Sequence, residues 1–175
     1  RPHPFKHSPK NLAALQEYLS DPDVRRLMAY LNAIFAFYYP KMYASYSDCM
    51  KELCLRKGGS GFAPPFYDTL FAAQTTNLGP SAYTFLHEDF LNLAYGICTV
   101  TALGAFDYTK GGHMYLPQLG YAIQFPPGCS FLLPSAALTH GNVPIAKTEV
   151  RASVVHYTAA GLFRWVAYGN MTMKQ

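Results

Sequence analysis

The chain has 175 residues, half of them hydrophobic and 14% charged. That length and balance exclude a disordered chain and fit one domain with its own core. The net charge of +4 permits an anionic partner such as nucleic acid without requiring one.

The first third reads as helical. Leu12, Leu15 and Leu19 recur near the 3.6-residue period and predict a helix over Asn11 to Leu19. Ser20-Asp21-Pro22 then stops that helix and starts another: Ser20 or Asp21 can cap, and Pro22 suits a first helical position. The second helix should run to about Tyr39, where Pro40 kinks or ends it. A third is expected from about Lys41 to Leu55. Lys57-Gly58-Gly59-Ser60-Gly61 has the composition of a flexible linker, either an engineered replacement for a longer loop or a natural turn.

From Phe62 onward the segments become short, β-rich and punctuated by Gly and Pro. Strands are predicted at Ala94–Leu103, His113–Leu116, Tyr121–Phe125, Ser130–Leu133 and Arg151–Thr158, with Phe163–Tyr168 as a further candidate. Gly111-Gly112, Leu119-Gly120 and Pro126-Pro127-Gly128 mark turns. Helices first and strands later predict an α+β fold, a sandwich or jelly roll with the helices packed on one face. The expected organisation is a single domain over 1–175, helical over 1–57, linked over 58–61 and β-rich over 62–175. No apolar run is long enough for a membrane-crossing helix. The start, Arg1-Pro-His-Pro-Phe5, does not read as a signal peptide. Cys49, Cys54, Cys98 and Cys129 show no Cys-x-x-Cys spacing, and Cys98 and Cys129 read as buried thiols, which suits a reducing intracellular setting.

The chemistry centres on His87-Glu88-Asp89. A His and an Asp two apart can reach one point from a strand end or loop, and a third ligand must then come from elsewhere. His140, in Leu138-Thr139-His140-Gly141, supplies it. Two imidazoles and one carboxylate make the facial triad that binds non-haem Fe(II) with positions left open for 2-oxoglutarate and dioxygen. A structural zinc site would prefer four closed ligands rich in Cys. Taken alone, His87 reads as a turn histidine and Asp89 as a helix cap before Phe90. Downstream, Arg151 opens the strand-like run Arg151-Ala152-Ser153-Val154-Val155-His156. Alternation puts Arg151, Ser153 and Val155 on one face. There an inward Arg can grip a carboxylate in bidentate fashion and Ser153 can add a hydroxyl bond. By the same alternation His156 points the other way.

His-x-Asp, a distant His and then Arg-x-Ser resemble the Fe(II)/2-oxoglutarate dioxygenase superfamily, and in particular its TET/JBP branch. The stretch from Thr84 to Trp165 looks like TET/JBP-type domains of mushroom-forming fungi, through Ala102-Leu103-Gly104-Ala105-Phe106-Asp107, Lys110-Gly111-Gly112-His113, Phe125-Pro126-Pro127-Gly128, Leu133-Pro134-Ser135-Ala136-Ala137 and Gly161-Leu162-Phe163-Arg164-Trp165. The resemblance implies a double-stranded β-helix, Fe(II) at His87, Asp89 and His140, and a salt bridge from Arg151, helped by Ser153, to the distal carboxylate of 2-oxoglutarate. It also implies oxidation of a methyl group on a DNA base, such as 5-methylcytosine, thymine or methylated adenine, and with it a nuclear location. Tyr95, Thr99 and His156 are candidates for the proximal carboxylate. Tyr83, Phe85 and Phe90 are candidates for the wall of a substrate pocket, with Arg25-Arg26, Lys51, Arg56-Lys57 and Lys147 available for phosphates. Alternatives are the same chemistry on a protein or small molecule, a binding module on a decayed site, and a cupin-like protein with another metal.

Overall fold

A computed structural model describes residues 2, 6–55 and 69–171. The Gly58–Gly61 linker lies outside these residues. The chain divides into two compact units, one formed by Arg1–Ala73 with Gly161–Gln175 and the other by Gln74–Ala160.

The first unit is helical. Helix α1 spans Pro9–Ser20, α2 spans Pro22–Tyr38 and α3 spans Pro40–Leu55. Ser8 caps α1 by accepting the Asn11 N–H at 3.2 Å. Asp21 caps α2 by accepting the N–H groups of Asp23 and Val24 at 2.8 and 3.1 Å, with Pro22 at a position where no N–H is needed. Pro40 ends α2 and opens α3 rather than kinking one long helix. Phe35 and Leu31 from α2 and Tyr46 from α3 are fully buried with Phe71. Their rings meet edge-on or stacked, with centroids 5.2 Å apart for Phe35–Tyr46 and 5.8 Å for Phe35–Phe71.

The last helix of this unit, α4 over Ala160–Ala167, corrects the strand expected at Phe163–Tyr168. Leu162, Phe163, Trp165 and Val166 all pack against Cys49, Met50, Leu53 and Ala72. Apolar positions spaced one, three and four apart share a face only on a helix, whereas a strand would split them between two faces.

The second unit carries seven strands among the described residues: β1 (Ala73–Asn77), β2 (Cys98–Ala105), β3 (Met114–Leu116), β4 (Tyr121–Ile123), β5 (Ser130–Leu133), β6 (Gly141–Asn142) and β7 (Val150–Tyr157). They form a four-stranded sheet in the order β1-β7-β2-β5 and a three-stranded sheet in the order β4-β3-β6. The β2–β7, β2–β5, β3–β4 and β3–β6 pairs are antiparallel. The architecture is therefore helices plus antiparallel sheets. The expected strand over Ala94–Leu103 begins only at Cys98, because Leu93 to Gly96 close a turn through a 2.8 Å bond from the Gly96 N–H to the Leu93 carbonyl. Strands β1 and β6 escaped the sequence reading.

Register fixes which side chains share a face. Val100 lies opposite Val155, Ala102 opposite Ser153 and Gly104 opposite Arg151. One face of the β2–β7 pair therefore presents Cys98, Val100 and Ala102 with Arg151, Ser153, Val155 and Tyr157. Cys98, Val100 and Ala102 join Met114, Leu116, Phe125 and Leu133 in the core of this unit. The opposite face carries Thr99, Thr101, Val154 and His156, all buried. Gly104 has φ +114°, and a Cβ there would run into the Val150 carbonyl, so only glycine fits opposite Arg151. All four cysteines are free. Cys98 is buried as expected, but Cys129 is exposed, since it follows the Pro126-Pro127-Gly128 turn.

Candidate metal centre

His87, Asp89 and His140 come together: one ligand atom from each lies within 4.8 Å of the others. Backbone pairing brings this about. His87 and His140 form an antiparallel bridge, with N–H to carbonyl bonds of 3.0 and 2.9 Å in the two directions. At the start of β6, directly after His140, Gly141 lets the neighbouring segment approach closely; a Cβ there would sit 3.0 Å from the Thr84 carbonyl. A hydrogen-bonded chain ties the same two segments together on their exposed side. Gln118 donates to the Thr139 hydroxyl at 2.6 Å, and Thr139 donates to Glu88 at 2.6 Å.

Both imidazoles are oriented the same way. His87 Nδ1 lies 2.8 Å from the Phe85 carbonyl and His140 Nδ1 lies 2.9 Å from the Leu138 carbonyl. A carbonyl can only accept, so each Nδ1 carries the proton and each Nε2 keeps a free lone pair. His87 Nε2 is 3.6 Å from Asp89 Oδ1. The other carboxylate oxygen, Oδ2, accepts a 3.2 Å bond from Asn92, which also donates to Ser135 Oγ at 3.2 Å. Burial pushes the His140 imidazole below its ordinary pKa, against the pull of the Leu138 carbonyl. The neutral ring that results is the form a metal requires. The donor set of two imidazole nitrogens and one carboxylate oxygen fits a divalent transition ion with open positions.

The triad lines a cavity of about 430 Å³, a size suited to a small ligand. Its apolar wall includes Phe90, Leu91, Cys98, Val100, Met114 and Val155, and its polar wall includes Thr75, Asn77, Thr84, Asn142, Ser153 and Tyr157. Burial drives the Cys98 thiol up to about 12, so it serves as an apolar wall group. Ser153 Oγ accepts a 3.1 Å bond from Asn77 Nδ2, which leaves its own proton to donate elsewhere.

Arg151 does not line this cavity; Ser153, two residues along the same face, does. The Arg151 side chain is 1% exposed. Its Nη1 donates to the Ala82 carbonyl at 2.6 Å, while Nε and Nη2 are buried without a partner. The guanidinium carbon lies 5.9 Å from the ring centroids of both Phe106 and Phe125. Burial lowers its pKa, yet a guanidinium stays charged. An unpaired Nε–Nη2 edge is the edge that takes a carboxylate through two parallel bonds.

Thr99 and His156 are corrected as cosubstrate candidates. Both lie on the face of β2–β7 turned away from the cavity, and they engage each other: Thr99 Oγ1 is 3.2 Å from His156 Nδ1, and Gln74 Oε1 is 3.0 Å from His156 Nε2. Tyr95 sits exposed in the turn before β2 and does not line the cavity. Of the aromatic candidates, Phe90 lines the metal cavity, whereas Tyr83 and Phe85 line an adjoining groove of about 300 Å³ with Leu86, Tyr115 and Pro144, which shares Thr84 and Asn142 with that cavity. Arg26 and Lys51 pair with Asp23 and Asp48 at 3.1 and 3.7 Å; Arg25 and Lys147 are exposed, and Arg56 and Lys57 lie outside the described residues. Sequence reasoning missed Asn77, Asn92 and Asn142. Asn92 follows Asp89 by three and Asn142 follows His140 by two, spacings that place them beside their ligands on a turn and a strand respectively.

The sequence matches no family model and no curated protein. Among solved structures it is similar to NgTET1 in complex with 5mC DNA, at 18% identity and a TM-score of 0.52, over 82% of this chain and 54% of that one. It is also similar to the viral collagen prolyl hydroxylase vCPH from Paramecium bursaria Chlorella virus-1 in its 2OG complex, at 16% identity and a TM-score of 0.35, over 49% of this chain and 61% of that one. The chain thus spans about half the length of the NgTET1 structure. What that likeness shows is a shared fold.

Proposed function

We propose that this chain is an Fe(II)- and 2-oxoglutarate-dependent dioxygenase on a double-stranded β-helix, acting on methylated bases in DNA. The observation that carries the reading is the convergence of His87, Asp89 and His140 within 4.8 Å, with both Nδ1 atoms tied to carbonyls, on the wall of a cavity lined by apolar and polar groups. The fold shared with NgTET1, a protein seen with 5mC DNA, supports the substrate half of the proposal.

Fe(II) bound at the triad would supply the redox chemistry that couples decarboxylation of 2-oxoglutarate by dioxygen to hydroxylation of a substrate C–H bond. The chain's own part is binding and orientation. His87 and His140 offer Nε2, and Asp89 offers Oδ1 while Asn92 restrains Oδ2. The Nε–Nη2 edge of Arg151 would hold the distal carboxylate of 2-oxoglutarate, one step along β7 from the Ser153 hydroxyl. The Cys98, Val100, Met114 and Val155 wall keeps water from the reacting carbon. Phe90, 81% exposed beside the cavity, would stack on a base turned out of the duplex.

The test is succinate formation from Fe(II), 2-oxoglutarate and air, with and without methylated duplex oligonucleotide. Succinate that rises with the oligonucleotide and disappears in His140→Ala is the expected result. Succinate that is indifferent to DNA but rises with a peptide or metabolite would keep the chemistry and reassign the substrate. No succinate above the His140→Ala level would leave a binding module on this fold.

A further inference from the structure

Three buried side-chain atoms among the described residues have no hydrogen-bond partner: Arg151 Nε, Arg151 Nη2 and Asn142 Nδ2. All three are N–H donors, and a buried donor left unpaired loses the hydration it had in water with nothing in exchange. Both side chains are braced on one extended segment, at residues two apart. Arg151 Nη1 donates to the Ala82 carbonyl. Asn142 donates its backbone N–H to the Thr84 carbonyl at 3.0 Å, and its Oδ1 accepts from the Thr84 hydroxyl at 3.2 Å. That second bond sets the amide so that Nδ2 is the free end.

Asn142 also shares a face with a metal ligand. It follows His140 by two residues where the chain pairs as a strand, and a strand repeats its faces every second residue, roughly 7 Å along. Asn142 lines the same cavity as the triad. A ligand seated against His140 in this cavity therefore lies on the face that carries Asn142.

We infer that Asn142 is a cosubstrate-binding residue, its Nδ2 donating to the carboxylate of a 2-oxo acid at the end next to the metal, the end opposite the one held by Arg151. This rests on the dioxygenase reading and gives it the proximal-carboxylate donor that Tyr95, Thr99 and His156 do not provide. An acid supplies the matching acceptors, since every unpaired donor here is an N–H and two of the three belong to the Arg151 cation.

The experiment is calorimetric binding of 2-oxoglutarate, and of pyruvate as a 2-oxo acid without a distal carboxylate, to the Co(II)-loaded protein without oxygen. Asn142→Ala and Asn142→Asp are compared with wild type, and Co(II) affinity is measured on each. Asn142→Asp keeps the oxygen that Thr84 holds but turns the donor into an anion. Direct contact with a carboxylate therefore predicts the order wild type, then Asn142→Ala, then Asn142→Asp. The Ala step should weaken both ligands about 10–100-fold, the size of one hydrogen bond to a charged group. An Asp variant that binds as well as or better than the Ala variant, or two variants that bind like wild type, would overturn the inference and leave Asn142 a brace for Thr84. Wild-type protein that takes Co(II) but neither 2-oxo acid would overturn the cosubstrate reading itself, and this inference with it.

Discussion

Strand β7 carries polar side chains on both of its faces, and the two faces treat them differently. On one, His156 is 1% exposed and both its ring nitrogens are engaged. Gln74 Oε1 can only accept, so Nε2 holds the proton and Nδ1 accepts from the Thr99 hydroxyl. Beside it, Thr101 Oγ1 and Ser130 Oγ are bonded at 2.8 Å. On the other face Arg151 is as deeply buried but leaves two donors unmet, and the Ser153 hydroxyl has accepted a bond without spending its own proton. A satisfied buried network rigidifies a fold, whereas an unsatisfied one stores binding capacity for something not in the chain. On the proposed function, the unsatisfied face is the one that meets a ligand and the satisfied face is structural, a division drawn without reference to residue type.

The comparison breaks most sharply at the metal. His140→Ala removes one of the three proposed ligands, and the Co(II) or Fe(II) affinity measured by calorimetry should fall by more than the roughly 100-fold seen when only a supporting partner is lost. Succinate formation should cease. Arg151→Met comes next. It replaces an unpaired buried cation by an apolar chain of similar length, so the ligand-free protein should melt at or above the wild-type temperature. Millimolar 2-oxoglutarate, which raises the wild-type melting temperature by mass action, should no longer do so. A variant that melts well below wild type would show that Arg151 belongs with His156 as a structural group.

A smaller effect follows from His156. Burial pushes its imidazole down to about 4, whereas in the unfolded chain it titrates near 6.5. Below about pH 6.5 the unfolded chain takes up a proton that the folded one refuses until about pH 4. Stability is therefore full above that window and falls through it, by about 3 kcal/mol in all. Urea denaturation of metal-free wild type and His156→Gln across pH 4 to 7.5 should show a steeper loss for wild type. Taking the difference between the two proteins cancels the same-signed contribution of His140.

How much of this was legible beforehand depends on how locally each feature is encoded. The three N-terminal helices were readable because their caps and stops, Asp21, Pro22 and Pro40, are sequence neighbours of the residues they act on. The meeting of His87, Asp89 and His140 and the shared face of Arg151 and Ser153 were readable because ligand chemistry and strand parity need only residue types and spacing. Helix α4 was misread as a strand: a short apolar run fits either period, and the choice was made by Cys49, Met50 and Leu53, which lie far away in sequence. Strand β1, Ala-Gln-Thr-Thr-Asn, has no apolar alternation, and β6 is two residues long; neither carries a local signal. The pairing of Thr99 with His156 depends on the β2–β7 register, which no single segment specifies. Asn142 was invisible for the same reason, since its role comes from Thr84 across the bridge that joins the two histidines.

The finest division is between two hydroxyls, one per face. Thr99→Val removes the hydroxyl that donates to the buried His156 Nδ1. It should lower stability by about 1 kcal/mol, or about 3 °C in melting temperature, with 2-oxoglutarate affinity unchanged. Ser153→Ala removes a hydroxyl whose proton is free to meet a ligand, from a side chain on the cavity wall. It should weaken 2-oxoglutarate about tenfold and leave the melting temperature of the ligand-free protein near that of wild type, because Asn77 stands at the cavity where water can replace the lost acceptor. If the two substitutions traded places, with Thr99→Val costing affinity and Ser153→Ala costing stability, the assignment of the two faces of β7 would have to be reversed.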